Sequence, residues 1–238
     1  MFRFPPLTPT VKTLLVVFLG TYVAQLISDV WLGGELFALL ALDMRAGATV
    51  RLVWQVATFP FATPPGPAGV MPFLISSLFF WLIVSPFEQT FGRARTIQVL
   101  LFGAVGALLP ALAVGLFFGG VLYGFGSLTL AAFMAWAWAM RLTRQEANFF
   151  GVMPMSPTQM MLVVLGLVLL NFLASQNFVL LAADLGATGG GILFTEWISK
   201  PPAAKRERKK SGGRRRKNDL GLKVIQGGKD DAPPKWLN

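Results

Sequence analysis

The sequence predicts an all-α integral membrane protein of six spans followed by a basic tail, and three observations predict it. Of 238 residues, 54% are apolar and 13% charged, against roughly a quarter charged in a soluble domain. The charge is segregated: residues 200–238 hold 13 Lys and Arg against 4 Asp and Glu, leaving 8 and 7 for residues 1–199. Finally, the uncharged stretches of residues 1–199 match one or two multiples of the ~20 residues that cross ~30 Å of hydrocarbon.

Each span follows from where charge and helix breakers fall. Sixteen uncharged residues separate Lys12 from Asp29, which places a first span at about 11–31, with Thr8-Pro9 as N-cap and first helical position. The 36 uncharged residues between Arg51 and Glu88 include TPPGP at 63–67, which cannot continue a helix. The second span is therefore about 69–88, after a long loop of about 32–68. The 45 residues between Arg95 and Arg141 suit two spans broken at Gly119-Gly120, about 96–118 and 121–141. Ser156-Pro157 opens a fifth span, about 157–175. SQN at 175–177 is a turn, and a sixth span of about 178–199 stops at Lys200-Pro201-Pro202.

Lys and Arg resist translocation. Arg3, Lys12, Arg93, Arg95, Arg141, Arg144 and the tail fall on one side, with only Arg45 and Arg51 opposite, which makes both termini cytoplasmic. Lys12 followed by a run without a clear small-residue cleavage site reads as a retained anchor rather than a cleaved signal. Richness in Ala, Gly and Arg points to a bacterial inner membrane, with the endoplasmic reticulum as the alternative. Absent residues limit the chemistry. With no Cys there is neither a disulfide nor a thiolate nucleophile, and with no His the commonest general base and a principal metal ligand are missing. Nothing in the sequence calls for a metal or a cofactor.

The apolar character of the 32–68 loop places it in the membrane interface. Its Trp54-Gln55 and Thr58-Phe59-Pro60-Phe61 resemble the W-R and T-Y-P-F-like segments of the first loop of the rhomboid superfamily, with Gln55 in place of the arginine. Glu88-Gln89-Thr90-Phe91-Gly92-Arg93-Ala94-Arg95 is similar to that superfamily's acidic residue, F-G pair and basic residues after span two. Gly92 and the arginines also have a plainer reading, as a helix stop and cytoplasmic charge. Asn148-Phe149-Phe150-Gly151 resembles the derlin branch. Ala183-Asp184-Leu185-Gly186 lines up with the A-H-L-G pattern that carries the catalytic histidine of active rhomboids.

The resemblance implies a six-helix rhomboid-like bundle, residues 1–199, whose proteolytic apparatus has been lost. Active members place a serine in G-x-S-G at the start of span four. Here the stretch is Gly124-Phe125-Gly126-Ser127, with Gly126 at the serine position and Asp184 at the histidine position. Ser127 lies one residue later, about 100° further around a helix, and so is not expected to inherit the nucleophile's direction. A serine hydroxyl needs a base to take its proton, and a carboxylate is a weak one. Asp184 is expected to act as a cap or hydrogen-bond partner for the 124–127 backbone, with a client contact as the alternative. Gly120 and Gly124, with Gly186 and Gly190, form small-xxx-small pairs expected to bring spans four and six together.

The function these readings imply is a catalytically inactive membrane protein that binds other transmembrane segments, as in derlin-like quality control. The residues expected to matter are Trp54, Gln55, Phe59, Glu88, Gly92, Arg95, Gly124, Gly126, Asp184, Gly186 and Gly190. Two alternatives compete: an active intramembrane serine peptidase using Ser127, and a small transporter or channel. The second is disfavoured because Asp184 is the one clear midspan charge and the chain shows no repeated half. The tail, 200–238, is expected to be disordered and to meet anionic headgroups or, alternatively, RNA.

Overall fold

The computed structural model describes residues 4–44, 52–144, 147–149 and 153–199. Arg3, Arg45, Arg51, Phe150, Gly151 and the tail from Lys200 lie outside the described residues. Among the described residues, five helical stretches are long and apolar enough to cross a membrane: Pro9–Trp31, Gly69–Phe91, Arg93–Phe118, Pro157–Ser175 and Phe178–Ser199. The chain is thus an all-α multi-pass membrane protein.

The first of these is α1 (Pro9–Gln25) continued by a π-helical turn, Leu26–Trp31. In the loop that follows lie α2 (Leu36–Leu40), β1 (Leu42–Asp43), α3 (Leu52–Thr58) and a 3-10 turn, Phe59–Phe61. Then come α4 (Pro67–Phe91) and α5 (Arg93–Phe118), separated only by Gly92 at φ +84°. The expected end of the second span at Glu88 is therefore three residues early. A short strand β2 (Val121–Leu122) precedes α6 (Gly126–Thr143). A hairpin, β3 (Ala147–Phe149) with β4 (Met153–Met155), leads to α7 (Pro157–Ser175) and α8 (Phe178–Ser199).

The expected fourth span, 121–141, is corrected at its start. Residues 121–125 are not helical: Val121 and Leu122 pair antiparallel with Asp43 and Leu42, and the Met44 amide donates to the Gly120 carbonyl. An apolar, uncharged run cannot distinguish a span from a buried loop, and here it is a loop. The resulting α6, 18 residues long, is not among the five membrane-length apolar helices, since its threonines, tryptophans and Arg141 lower its hydropathy. It is instead the most enclosed helix, packed against α4, α5 and α7, with Ala131, Ala132, Ala135 and Ala137 all at 0% exposure.

Helices in lipid gain little by merely hiding apolar faces from one another, so close packing and hydrogen bonds must hold them. Close packing here means α8 against α5. A Cβ on Gly186 would collide with the Gly106 carbonyl, one on Gly106 with the Gly186 carbonyl, and one on Gly190 with the Phe102 carbonyl. A Cβ on Gly191 would strike the Ala131 carbonyl of α6. This corrects the expected seam. Gly186 and Gly190 serve the α5–α8 contact, Gly191 serves α6, and Gly120 and Gly124 sit in the loop before α6 at φ +143° and +84°.

Polar ties do the rest. The Asp29 carboxylate accepts from the Leu36 and Phe37 amides at 2.6 and 2.8 Å, capping the N-terminus of α2. At its other end, Gln55, Trp54 and Thr58 donate to the carbonyls of Ala38, Leu39 and Leu40 at 3.0, 3.0 and 2.9 Å. A five-residue helix leaves nearly all of its backbone groups unsatisfied, so these side chains are what make it possible. Gln25, fully buried, donates to the Phe61 carbonyl and accepts from the Thr63 amide, fixing the start of α4 to α1.

A candidate polar site at the start of α6

Phe125 fixes where α6 begins. Its ring stacks on Phe18 at 4.2 Å between centroids and meets Phe80 edge-on at 5.7 Å. The preceding Gly124 amide donates to the Phe59 carbonyl at 2.9 Å. Its φ of +84° suits glycine, which lacks the Cβ that would be strained there. The turn leaves Gly126 exposed at the first helical position and aims Ser127 inward, 2% exposed.

Ser127 Oγ donates to Asp184 Oδ1 at 2.6 Å, and Asn171 Nδ2 donates to Asp184 Oδ2 at 2.7 Å. Asp184 is 1% exposed. One carboxylate therefore ties α6, α7 and α8, with a hydrogen bond on each oxygen. Although Ser127 is not expected to inherit the nucleophile's direction, its hydroxyl meets the side chain at the histidine position directly. The expected contact of Asp184 with the 124–127 backbone is replaced by a side-chain contact.

A cavity of about 230 Å³ lies over this cluster, lined among others by Thr63, Ser76, Tyr123, Gly126, Ser127 and Asp184. Beside it, a cleft of about 590 Å³ between α4 and α7 is walled by Ile75, Phe79, Leu167 and Leu170 and floored by Thr129 and Leu130 of α6. Ser76, Gly126 and Asn171 line both. A chamber with both polar and apolar walls thus borders an apolar cleft whose rims, Ile75 at 52% and Leu170 at 65% exposure, face outward.

Of the residues expected from sequence, Gly124, Gly126, Ser127 and Asp184 come together here. Trp54, Gln55, Phe59, Glu88, Gly92, Arg95, Gly186 and Gly190 do not line this cavity. Glu88 serves the helix start instead. Only 6% exposed, it accepts from Thr8 Oγ1 at 2.5 Å and from Thr10 Oγ1 and amide at 2.6 and 3.2 Å. A carboxylate from α4 thereby caps the N-terminus of α1, where the helix dipole favours negative charge. Thr8 is the N-cap residue, yet its hydroxyl turns to Glu88 rather than to its own helix. Gly92 ends α4, and Arg95 is exposed.

Sequence reasoning does not single out Asn171, Ser76 or Thr63, because an isolated amide or hydroxyl in an apolar stretch carries no signal until a partner is known. It also passes over Asn177, whose Oδ1 accepts from the Val179 and Leu180 amides and whose Nδ2 donates to the Val121 carbonyl, so that it starts α8 and ties it to β2. Glu196 accepts from Trp138 Nε1 at 2.9 Å, a second acidic side chain on α8. Among the described residues, no three His, Cys, Asp or Glu side chains gather where they can hold a metal ion. No family model and no curated protein matches this chain.

Chemically, Ser127–Asp184–Asn171 is a hydrogen-bonded cluster with an acceptor at its centre. A serine hydroxyl becomes a nucleophile only where a base takes its proton, and the group that accepts from Ser127 here is the Asp184 carboxylate rather than an imidazole.

Proposed function

We propose that this chain is a rhomboid-like pseudoprotease that receives apolar segments of other membrane proteins between α4 and α7 and holds them without cutting. The observation that carries the reading is Ser127 paired with a carboxylate, Asp184, in a chamber beside a membrane-facing cleft. The cleft supplies an apolar path for a helix, and the chamber supplies partners for backbone groups exposed where that helix frays. In this reading α6 is the fourth of six spans, both termini are cytoplasmic, and the clients are membrane proteins undergoing quality control, as the derlin resemblance implies. The basic tail contacts anionic headgroups. The membrane is a bacterial inner membrane.

The test is site-specific photocrosslinking. A photoreactive residue replacing Leu170, on the rim of the cleft, is expected to capture a reporter transmembrane helix in liposomes. The same probe replacing Leu116, which is 82% exposed on α5, is expected to capture much less. Equal capture at the two positions contradicts entry through the cleft.

A second reading has one observation in its favour. The 2.6 Å hydrogen bond from Ser127 Oγ to Asp184 is the contact an intramembrane serine peptidase without histidine requires of its nucleophile and base. Turnover of a reporter, lost on replacing either residue, distinguishes it.

A further inference from the structure

Along the line where they meet, α5 and α8 form a second apolar groove, of about 510 Å³. Gly186 and Gly190 let the two backbones meet at its floor, while Leu101, Val105, Leu109 and Leu193, each 55% exposed or more, form its walls. Gly189 lines the groove with nothing within 4 Å of where its Cβ would stand, so the space above it is open.

We propose that this groove binds one acyl chain of an anionic phospholipid whose headgroup sits beside Arg95. Three observations converge. Along α5 the lining runs from Leu101 to Pro110, about 13 Å of helix axis, which matches the ~15 Å depth of one leaflet rather than the ~30 Å that a partner helix would cover. At the end where α5 begins and α8 finishes, Trp197 stacks on Phe102 at 5.7 Å and is 55% exposed, an aromatic at the position where interfacial tryptophans sit.

Charge supplies the third. Arg95 lies seven residues before Phe102, two turns along the same face of α5, about 10 Å beyond the groove's end. It is exposed, forms no ion pair among the described residues, and the first turn of α5 contains no acidic residue. Gln98, one turn from Phe102 on that face, adds a neutral hydrogen-bond donor. A chain occupying the groove thus leads out to a cation at headgroup depth, which selects an anionic headgroup over a zwitterionic one.

Native mass spectrometry of the full chain tests this, with the protein released from micelles containing equal amounts of phosphatidylglycerol and phosphatidylcholine. The wild type is expected to retain one phosphatidylglycerol in preference to phosphatidylcholine. Gly189→Leu fills the groove and is expected to abolish retention of either lipid. Gly166→Leu, on the exposed surface of α7 where a Cβ also meets nothing within 4 Å, is expected to leave retention unchanged. Arg95→Gln is expected to reduce the preference for phosphatidylglycerol about fivefold, the factor equivalent to ~1 kcal/mol for one basic residue near an anionic surface. Equal retention of the two lipids by the wild type overturns the proposal. So does retention unaffected by Gly189→Leu, and so does a dimer that Gly189→Leu disrupts, which would make the groove an interface between copies.

Discussion

Replacing Gly186 and Gly189 by alanine, one at a time, sets two glycines three residues apart on one helix against each other. An alanine Cβ at 186 would strike the Gly106 carbonyl and stand 2.6 Å from Pro110 Cγ, where ordinary contact begins at 3.4 Å. The obstacle is backbone and a proline ring, so α8 must withdraw from α5 by ~1 Å, enough to forfeit a quarter to a half of each lost contact along the seam. Overpacking of this kind costs about 1–3 kcal/mol. At 189 the Cβ meets nothing within 4 Å, and alanine gains helix propensity of up to ~1 kcal/mol. That gain is common to both positions, so the two variants should differ by the overpacking cost, about 1–3 kcal/mol, Gly186→Ala being the less stable. Unfolding in mixed detergent and SDS micelles, followed by circular dichroism, measures the difference. A Gly186→Ala protein as stable as Gly189→Ala would refute the backbone contact as what joins α5 to α8.

Three other outcomes follow from the polar ties and the cleft. Glu88→Leu removes the acceptor for two threonine hydroxyls and one amide at the start of α1 and should destabilise by about 3 kcal/mol; hydrogen exchange should quicken first at the amides of residues 10–12. Asp184→Leu leaves Ser127 and Asn171 without their acceptor and should lower the unfolding midpoint, at about 1–3 kcal/mol per orphaned group. Asp184→Asn, which keeps one acceptor oxygen, should cost less, and the reverse order would mean that the cluster does not hold the three helices together. Gly126→Leu places a side chain where a Cβ meets nothing within 4 Å, between chamber and cleft. It should cut reporter capture at residue 170 at least fivefold with little change in stability.

How much of this is legible in the sequence depends on whether a signal is local. Thr8-Pro9 and Ser156-Pro157 mark the starts of α1 and α7, and in the second case the capping box with Gln159 forms. Gly92 and the SQN turn fall at helix ends because a stop is encoded by the residues that make it. The α5–α6 connection is not legible: Val121 and Leu122 have the hydropathy of a span, and only their pairing with β1, some 80 residues earlier, makes them part of a loop. The polar cluster is half legible. Asp184 stands out as a charge in an apolar stretch and Ser127 as the serine beside the motif's nucleophile position, but their direct contact does not, and Asn171 resembles any other amide in a span. Glu88 is visible as an acidic residue but not for what it does, because a carboxylate near a helix end gives no indication that it caps a different helix.

If Ser127 and Asp184 hold the bundle together and border a binding chamber without cutting, the most direct measurement is cleavage of a fluorescent transmembrane reporter. The purified protein would be assayed in liposomes beside Ser127→Ala and Asp184→Asn. No turnover is predicted in any of the three, with the reporter still captured by the probe at residue 170. Turnover by the wild type that disappears in both variants would contradict this reading and establish a serine peptidase working without histidine.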